Sequence, residues 1–125
     1  MEPRLNLKDG KKVSGVEFEL FNNSVYGLLN EVAVKAAHST TAKKFATGEV
    51  RIARTSLTVY GLGQCVTDLT SPQYEMCLEM AIRSLAECCG GEEGASAMLA
   101  SCVVRYELYP FYNVTSSSSS GNLSF

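Results

Sequence analysis

No two cysteines of this chain stand two residues apart, so the ligand spacing of zinc knuckles and thioredoxin-like redox sites is missing. Basic charge is not in excess either: Lys and Arg total 11 against 13 Asp and Glu, a net charge of −2. A protein that neutralises phosphates needs a positive field, so nucleic acid is not an expected partner. No uncharged apolar run reaches the ~18 residues that cross a bilayer, so no membrane span is expected within the chain. The single histidine, His38, has no second histidine and no nucleophile motif to work with, so neither catalysis nor a metal site is expected. The amino terminus, Met1 to Lys12, lacks the apolar core of a secretory signal, which by itself suggests a cytosolic protein.

What is present points the other way. Three N-glycosylation sequons occur, at Asn22, Asn113 and Asn122, and five cysteines in 125 residues suit an oxidising compartment. A piece, or a truncated product, of a longer secreted or membrane-anchored protein reconciles the two signals. With 46% hydrophobic and 19% charged residues the chain has the composition of one domain with a single core.

Residues 1–17 are charged and Gly-interrupted and read as a loosely held lead-in. Phe21, Val25, Leu28, Leu29, Val32 and Ala36 recur at three and four residues, one face of a helix that ends near His38. Lys43 to Ile52, broken by Gly48, reads as one edge strand or two short ones, and Thr55 to Gln64 as a better strand. A second helix has a start signal and a matching period. Thr70 and Gln73 can form a capping box with Pro72 in the first turn, and Tyr74, Cys77, Leu78, Ala81, Ile82 and Leu85 make the apolar stripe before Gly90-Gly91 breaks it. Met98 to Tyr109 reads as one strand buried on both sides. Residues 113–125 are Ser-rich and expected to be a disordered tail or stalk. The element order predicts an α+β fold with two helices on one face of a small antiparallel sheet.

The cysteines are the most specific signal. Eleven residues separate Cys65 from Cys77, ten separate Cys77 from Cys88, Cys89 follows at once, and twelve more precede Cys102. Tyr60-Gly-Leu-Gly-Gln-Cys65, Asp68-Leu-Thr70, Cys77-Leu78, Cys88-Cys-Gly-Gly91 and Ser101 to Tyr112 (SCVVRYELYPFY) resemble the plant ginkbilobin-homologous domain. This is also called the stress-antifungal domain, of cysteine-rich receptor-like kinases and cysteine-rich repeat secretory proteins. The resemblance covers residues 18–112 and is nearest to the second of two such domains in tandem. It implies a disulfide-stapled sheet of about five strands under two helices, acting as an extracellular, non-catalytic recognition module without cofactors. In receptor members such a module is tethered to a kinase, and its partners are carbohydrates or extracellular proteins. A free-standing mannose-binding antifungal lectin and a truncated product without ligand are the alternatives.

The family pattern also assigns residues. It implies a Cys77–Cys102 bridge, whose loop of about 25 residues is worth about 3 kcal/mol in a chain-entropy estimate. Tyr74 stands where the family has a cysteine, so Cys65 loses its usual partner and Cys65, Cys88 and Cys89 remain unassigned. Of the family's mannose-binding residues only Glu107 is matched; Ser96 occupies the arginine position, and the asparagine's segment has no counterpart. On general grounds Glu107 beside Arg105 also reads as a solvated or cross-strand ion pair. Tyr106, Tyr109, Phe111 and Tyr112 are candidates for a stacking surface, and equally for core and edge packing.

Overall fold

A computed structural model describes residues 4–39, 44–66 and 69–112. The elements run β1 (Arg4–Lys8), α1 (Phe18–Ala37), β2 (Lys44–Arg51), β3 (Thr58–Cys65), α2 (Ser71–Cys88), β4 (Ala95–Leu99) and β5 (Cys102–Glu107). All neighbouring strands are antiparallel, in the order β1-β4-β5-β3-β2. The expected α+β class, with two helices on a five-stranded antiparallel sheet, holds.

Both helices lie on the same face because three glycines let them approach. A Cβ on Gly48 or Gly61 would meet Leu28 of α1 at 3.2 and 3.1 Å, and one on Gly63 would meet Val32 of α1 at 3.3 Å and Leu78 of α2 at 3.5 Å. Gly48 therefore seats α1 rather than breaking β2, which runs unbroken as an edge strand. The capping box forms: Thr70 Oγ1 accepts from the Gln73 amide at 3.3 Å, and Gln73 Oε1 accepts from the Thr70 amide at 2.8 Å. The apolar stripe of α2 then packs against the sheet, with Phe21 of α1 edge-on to Tyr106 of β5 at 6.4 Å.

Tyr74 fills the core as the stripe implies and is 1% exposed, with Lys44 Nζ 5.7 Å from its ring centre. Its hydroxyl has no hydrogen-bond partner among the described residues. A buried hydroxyl stripped of water without compensation is a cost, so Tyr74→Phe is expected to raise the unfolding free energy by about 1 kcal/mol. Chemical denaturation checks this; a loss of stability would mean that the hydroxyl is bonded.

The structure departs from the sequence expectations in three places. Residues 1–17 are not merely a lead-in: β1 pairs with β4 from Arg4↔Leu99 to Lys8↔Ala95. The zipper continues past the strand, with Asp9 N donating to Gly94 O at 3.0 Å, Glu93 N to Lys11 O at 2.8 Å and Val13 N to Gly91 O at 2.8 Å. Met98 to Tyr109 is not one strand, since β4 ends at Leu99 and the chain turns at Ala100-Ser101 into β5. The third concerns the disulfides. Cys102 is bridged to Cys65, and Cys88 to its neighbour Cys89, rather than Cys102 to Cys77. The sheet register explains the first bridge: Cys65 and Cys102 are direct partners across β3 and β5, whereas Cys77 is buried on α2. Cys65 therefore keeps a partner even though Tyr74 stands at the expected cysteine position. The Ser-rich segment 113–125, with Asn113 and Asn122, lies outside the described residues.

Candidate functional site

Strand alternation sorts β5 into two faces: Cys102, Val104 and Tyr106 point to the helices, while Val103, Arg105 and Glu107 point to the open face. On that open face a cavity of about 290 Å3 is lined by Leu7 and Lys8 of β1, by Asp9 just after it, by Ala95, Ser96 and Met98 of β4, and by Val103, Arg105 and Glu107 of β5. Leu7 and Met98 are both exposed, so the rim is apolar. The floor is not.

Glu107 is only 4% exposed. Its Oε2 accepts from Arg105 Nε at 3.0 Å, an ion pair along one strand face rather than the solvated or cross-strand pair expected. The guanidinium also donates from Nη2 to Tyr109 Oη at 3.2 Å and lies over the Phe111 ring at 4.3 Å, so it is fixed in place. Glu107 Oε1 is buried and receives no hydrogen bond from any described residue. Its neighbour is another acceptor. A Cβ on Gly94 would stand 1.9 Å from Glu107 Oε1 and 2.6 Å from Asp9 Oδ2, so both carboxyls converge on the space that this glycine leaves. Loss of water is the main reason that Glu107 is pushed up to about 7; the bond from Arg105 lowers it, and the nearness of Asp9 raises it again.

The remaining sequence candidates fall elsewhere. Tyr106 belongs to the core, its hydroxyl donating to Glu92 O at 2.8 Å, and burial raises its pKa. Phe111 packs edge-on against both Tyr109 and Tyr112, and Tyr112 donates to Gly48 O at 2.9 Å, binding the segment after β5 to the far edge strand. Ser96 does line the cavity, but as a serine it offers no charge. His38 Nε2 lies 2.7 Å from Glu75 Oε2 and ties the end of α1 to α2. Asn22 sits in α1 with its side-chain oxygen accepting from Gly91 N at 3.1 Å, a commitment that competes with glycan attachment at the same amide. Asp9 was not anticipated. It stands 98 residues from Glu107 and no local signal marks it, although the short Leu5-Asn-Leu7 alternation before it is a weak strand cue.

The profile of the salt stress response/antifungal family matches residues 9–109. The chain belongs to this family. Its stress-antifungal sequence is 40% identical over 115 residues to cysteine-rich receptor-like protein kinase 25 of Arabidopsis thaliana, covering 92% of the chain and 17% of that protein. It is 42% identical over 110 residues to cysteine-rich repeat secretory protein 38 of the same plant, covering 88% and 42%. It is also 42% identical over 91 residues to the antimicrobial ginkbilobin-2-like protein of Castanea crenata, covering 73% and 36%. The chain thus spans less than half the length of these relatives. Its fold matches the tandem DUF26 ectodomain of the Arabidopsis thaliana cysteine-rich receptor-like protein PDLP5 with a TM-score of 0.72 at 21% identity, over 88% of this chain and 52% of that one. These relatives are a receptor-like kinase, secreted cysteine-rich proteins and a receptor-like ectodomain, and the stress-antifungal chain aligns with 17% of the kinase. Among the described residues no helix is long and apolar enough to cross a membrane.

Proposed function

We propose that this chain is an extracellular, non-catalytic recognition module of a plant stress or defence protein, receptor-like or secreted, and that it binds through the Glu107 cavity. The observation that carries this reading is the buried Glu107 carboxyl on the cavity floor, whose Oε1 has no hydrogen-bond partner among the described residues. Leaving a buried acceptor unsatisfied is costly to folding, and an incoming hydroxyl or amine repays that cost on binding. Tethering to a kinase follows from the likeness to a receptor-like kinase and belongs to the longer protein.

The lectin reading is weaker, because Ser96 supplies no fixed charged donor and Arg105 is already engaged by Glu107, Tyr109 and Phe111. A glycan and cell-wall fragment array probed with the purified chain and with Glu107→Ala tests both. Binding lost in Glu107→Ala, by tenfold or more, is expected; binding that survives the substitution would move recognition off this cavity. Mannose-selective signals would establish the lectin.

A further inference from the structure

We propose that the Cys88–Cys89 disulfide is a thiol-exchange site, and that its reduction by a small dithiol loosens the amino-terminal segment from the loop that follows α2.

The Cys65–Cys102 and Cys88–Cys89 bridges differ in what they hold. Cys65 and Cys102 are each 4% exposed and stand 37 positions apart, so their bond is shielded from a reductant and restrains a long loop. Cys88 and Cys89 are adjacent, so their bond closes only a small ring around the peptide that joins them and hardly restrains the unfolded chain. Cys88 is exposed at the end of α2, whereas Cys89 is buried. One sulfur of the pair therefore meets solvent. A bond that is reachable, and on which the core does not depend, is the one that exchanges.

Exchange runs in two displacements. A thiolate of the dithiol attacks Cys88 Sγ, the S–S bond breaks, and Cys89 Sγ leaves as a thiolate that takes a proton from solvent. The reagent's second thiol loses its proton to solvent and attacks the reagent sulfur of the mixed disulfide. Cys88 leaves and is protonated in turn. The protein is reduced to two thiols, and the dithiol is oxidised to a cyclic disulfide.

Position gives the bond its consequence. Cys89 caps α2, its amide donating to Leu85 O at 2.8 Å and its carbonyl accepting from Glu92 N at 3.1 Å. The residues that follow clasp the amino-terminal segment. Gly90 O accepts from Lys12 Nζ at 2.9 Å, Gly91 O from Val13 N at 2.8 Å, and the Glu92 carboxylate from Gly10 N at 2.9 Å and Lys12 Nζ at 3.2 Å. Gly91, at φ +80°, also donates to Asn22 Oδ1 at 3.1 Å, and a Cβ there would meet Phe18 at 2.7 Å, so the loop has little room to shift. While the ring is closed it fixes the direction in which the backbone leaves α2. Once it opens, the peptide regains rotations, and the clasp beyond it shares that freedom. Leu7, Lys8 and Asp9 of the clasped segment form one wall of the open-face cavity, so the redox state reaches that face through β1.

Titration of the whole chain with dithiothreitol tests this, with thiols trapped and mapped by mass spectrometry and amide exchange followed by NMR. Cys88 and Cys89 are expected to be trapped first, at a dithiol concentration at least about tenfold below that which opens Cys65–Cys102. Exchange of the Gly10, Val13 and Glu93 amides should then quicken by about tenfold, while the Val66 amide, bonded to Ser101 O beside the buried bridge, keeps its rate. The double variant Cys88→Ser, Cys89→Ser should exchange fast at the same three amides with or without reductant. If that variant does not fold, wild type reduced and then alkylated at Cys88 supplies the open state. A map joining Cys88 or Cys89 to another cysteine, opening of both bridges together, or unchanged exchange at Gly10, Val13 and Glu93 after selective reduction would overturn the proposal.

Discussion

Replacing Cys65 with Ser is expected to lower the unfolding free energy by about 4 kcal/mol under oxidising conditions and to change little once a dithiol reductant is present. The Cys65–Cys102 bridge spans 37 positions of sequence and joins the facing ends of β3 and β5, the two strands at the middle of the core. In the chain-entropy account a loop of that length restrains the unfolded ensemble by about that amount, less any distortion in the native state. Cys102→Ser should cost the same, and the double variant no more than either single one, because all three remove one and the same bond. Urea denaturation of the three variants, with a peptide map taken without reductant, settles the pairing. A map joining Cys77 to Cys102, with additive costs at Cys65 and Cys102, would reinstate the pairing that the family pattern implies.

That pairing shows where sequence reasoning stopped. The helices were legible because their signals are local: a capping box at Thr70, Pro72 in the first turn, and stripes such as Phe21, Val25 and Leu28 that need only three- and four-residue spacing. Family resemblance supplied the five-stranded sheet and the family membership, and both hold. Strand β1 was missed because Arg4–Lys8 holds only Leu5 and Leu7 among polar residues, as an edge strand does, and its partner β4 lies some ninety positions away. β4 itself was hidden by the small residues of Ala95-Ser-Ala97, which bury in the sheet without looking apolar enough to announce it. Glu107 could be singled out, since it ends a recognisable motif, but its burial and its second carboxyl could not. Both depend on Asp9 arriving from the first strand and on Gly94 lacking a side chain, and no spacing rule links positions 9, 94 and 107.

The same three residues give the protein a pH-dependent stability. Glu107 holds its proton in the folded chain up to about pH 7, against 4.5 for an ordinary glutamate, so between those values the native state carries more protons than the unfolded one. Stability is then greatest below the ordinary carboxylate range and is lost as pH rises through the folded value, by at most about 3 kcal/mol for a shift of this size. Glu107→Gln should remove this slope, because an amide keeps an acceptor for Arg105 and has no proton to lose in this pH range. It should match wild type near pH 4 and exceed it near pH 8, by about 2 kcal/mol. Gly94→Ala attacks the pair from the other side. Its methyl would lie 1.9 Å from Glu107 Oε1 and 2.6 Å from Asp9 Oδ2, so both carboxyls must swing aside, at a cost of about 3 kcal/mol. Thermal melts across this pH range for wild type, Glu107→Gln and Gly94→Ala separate the cases. A wild-type curve that rises with pH, as it does for a carboxylate held by an ion pair alone, would mean that Arg105 outweighs burial and that Glu107 is ionised in the fold.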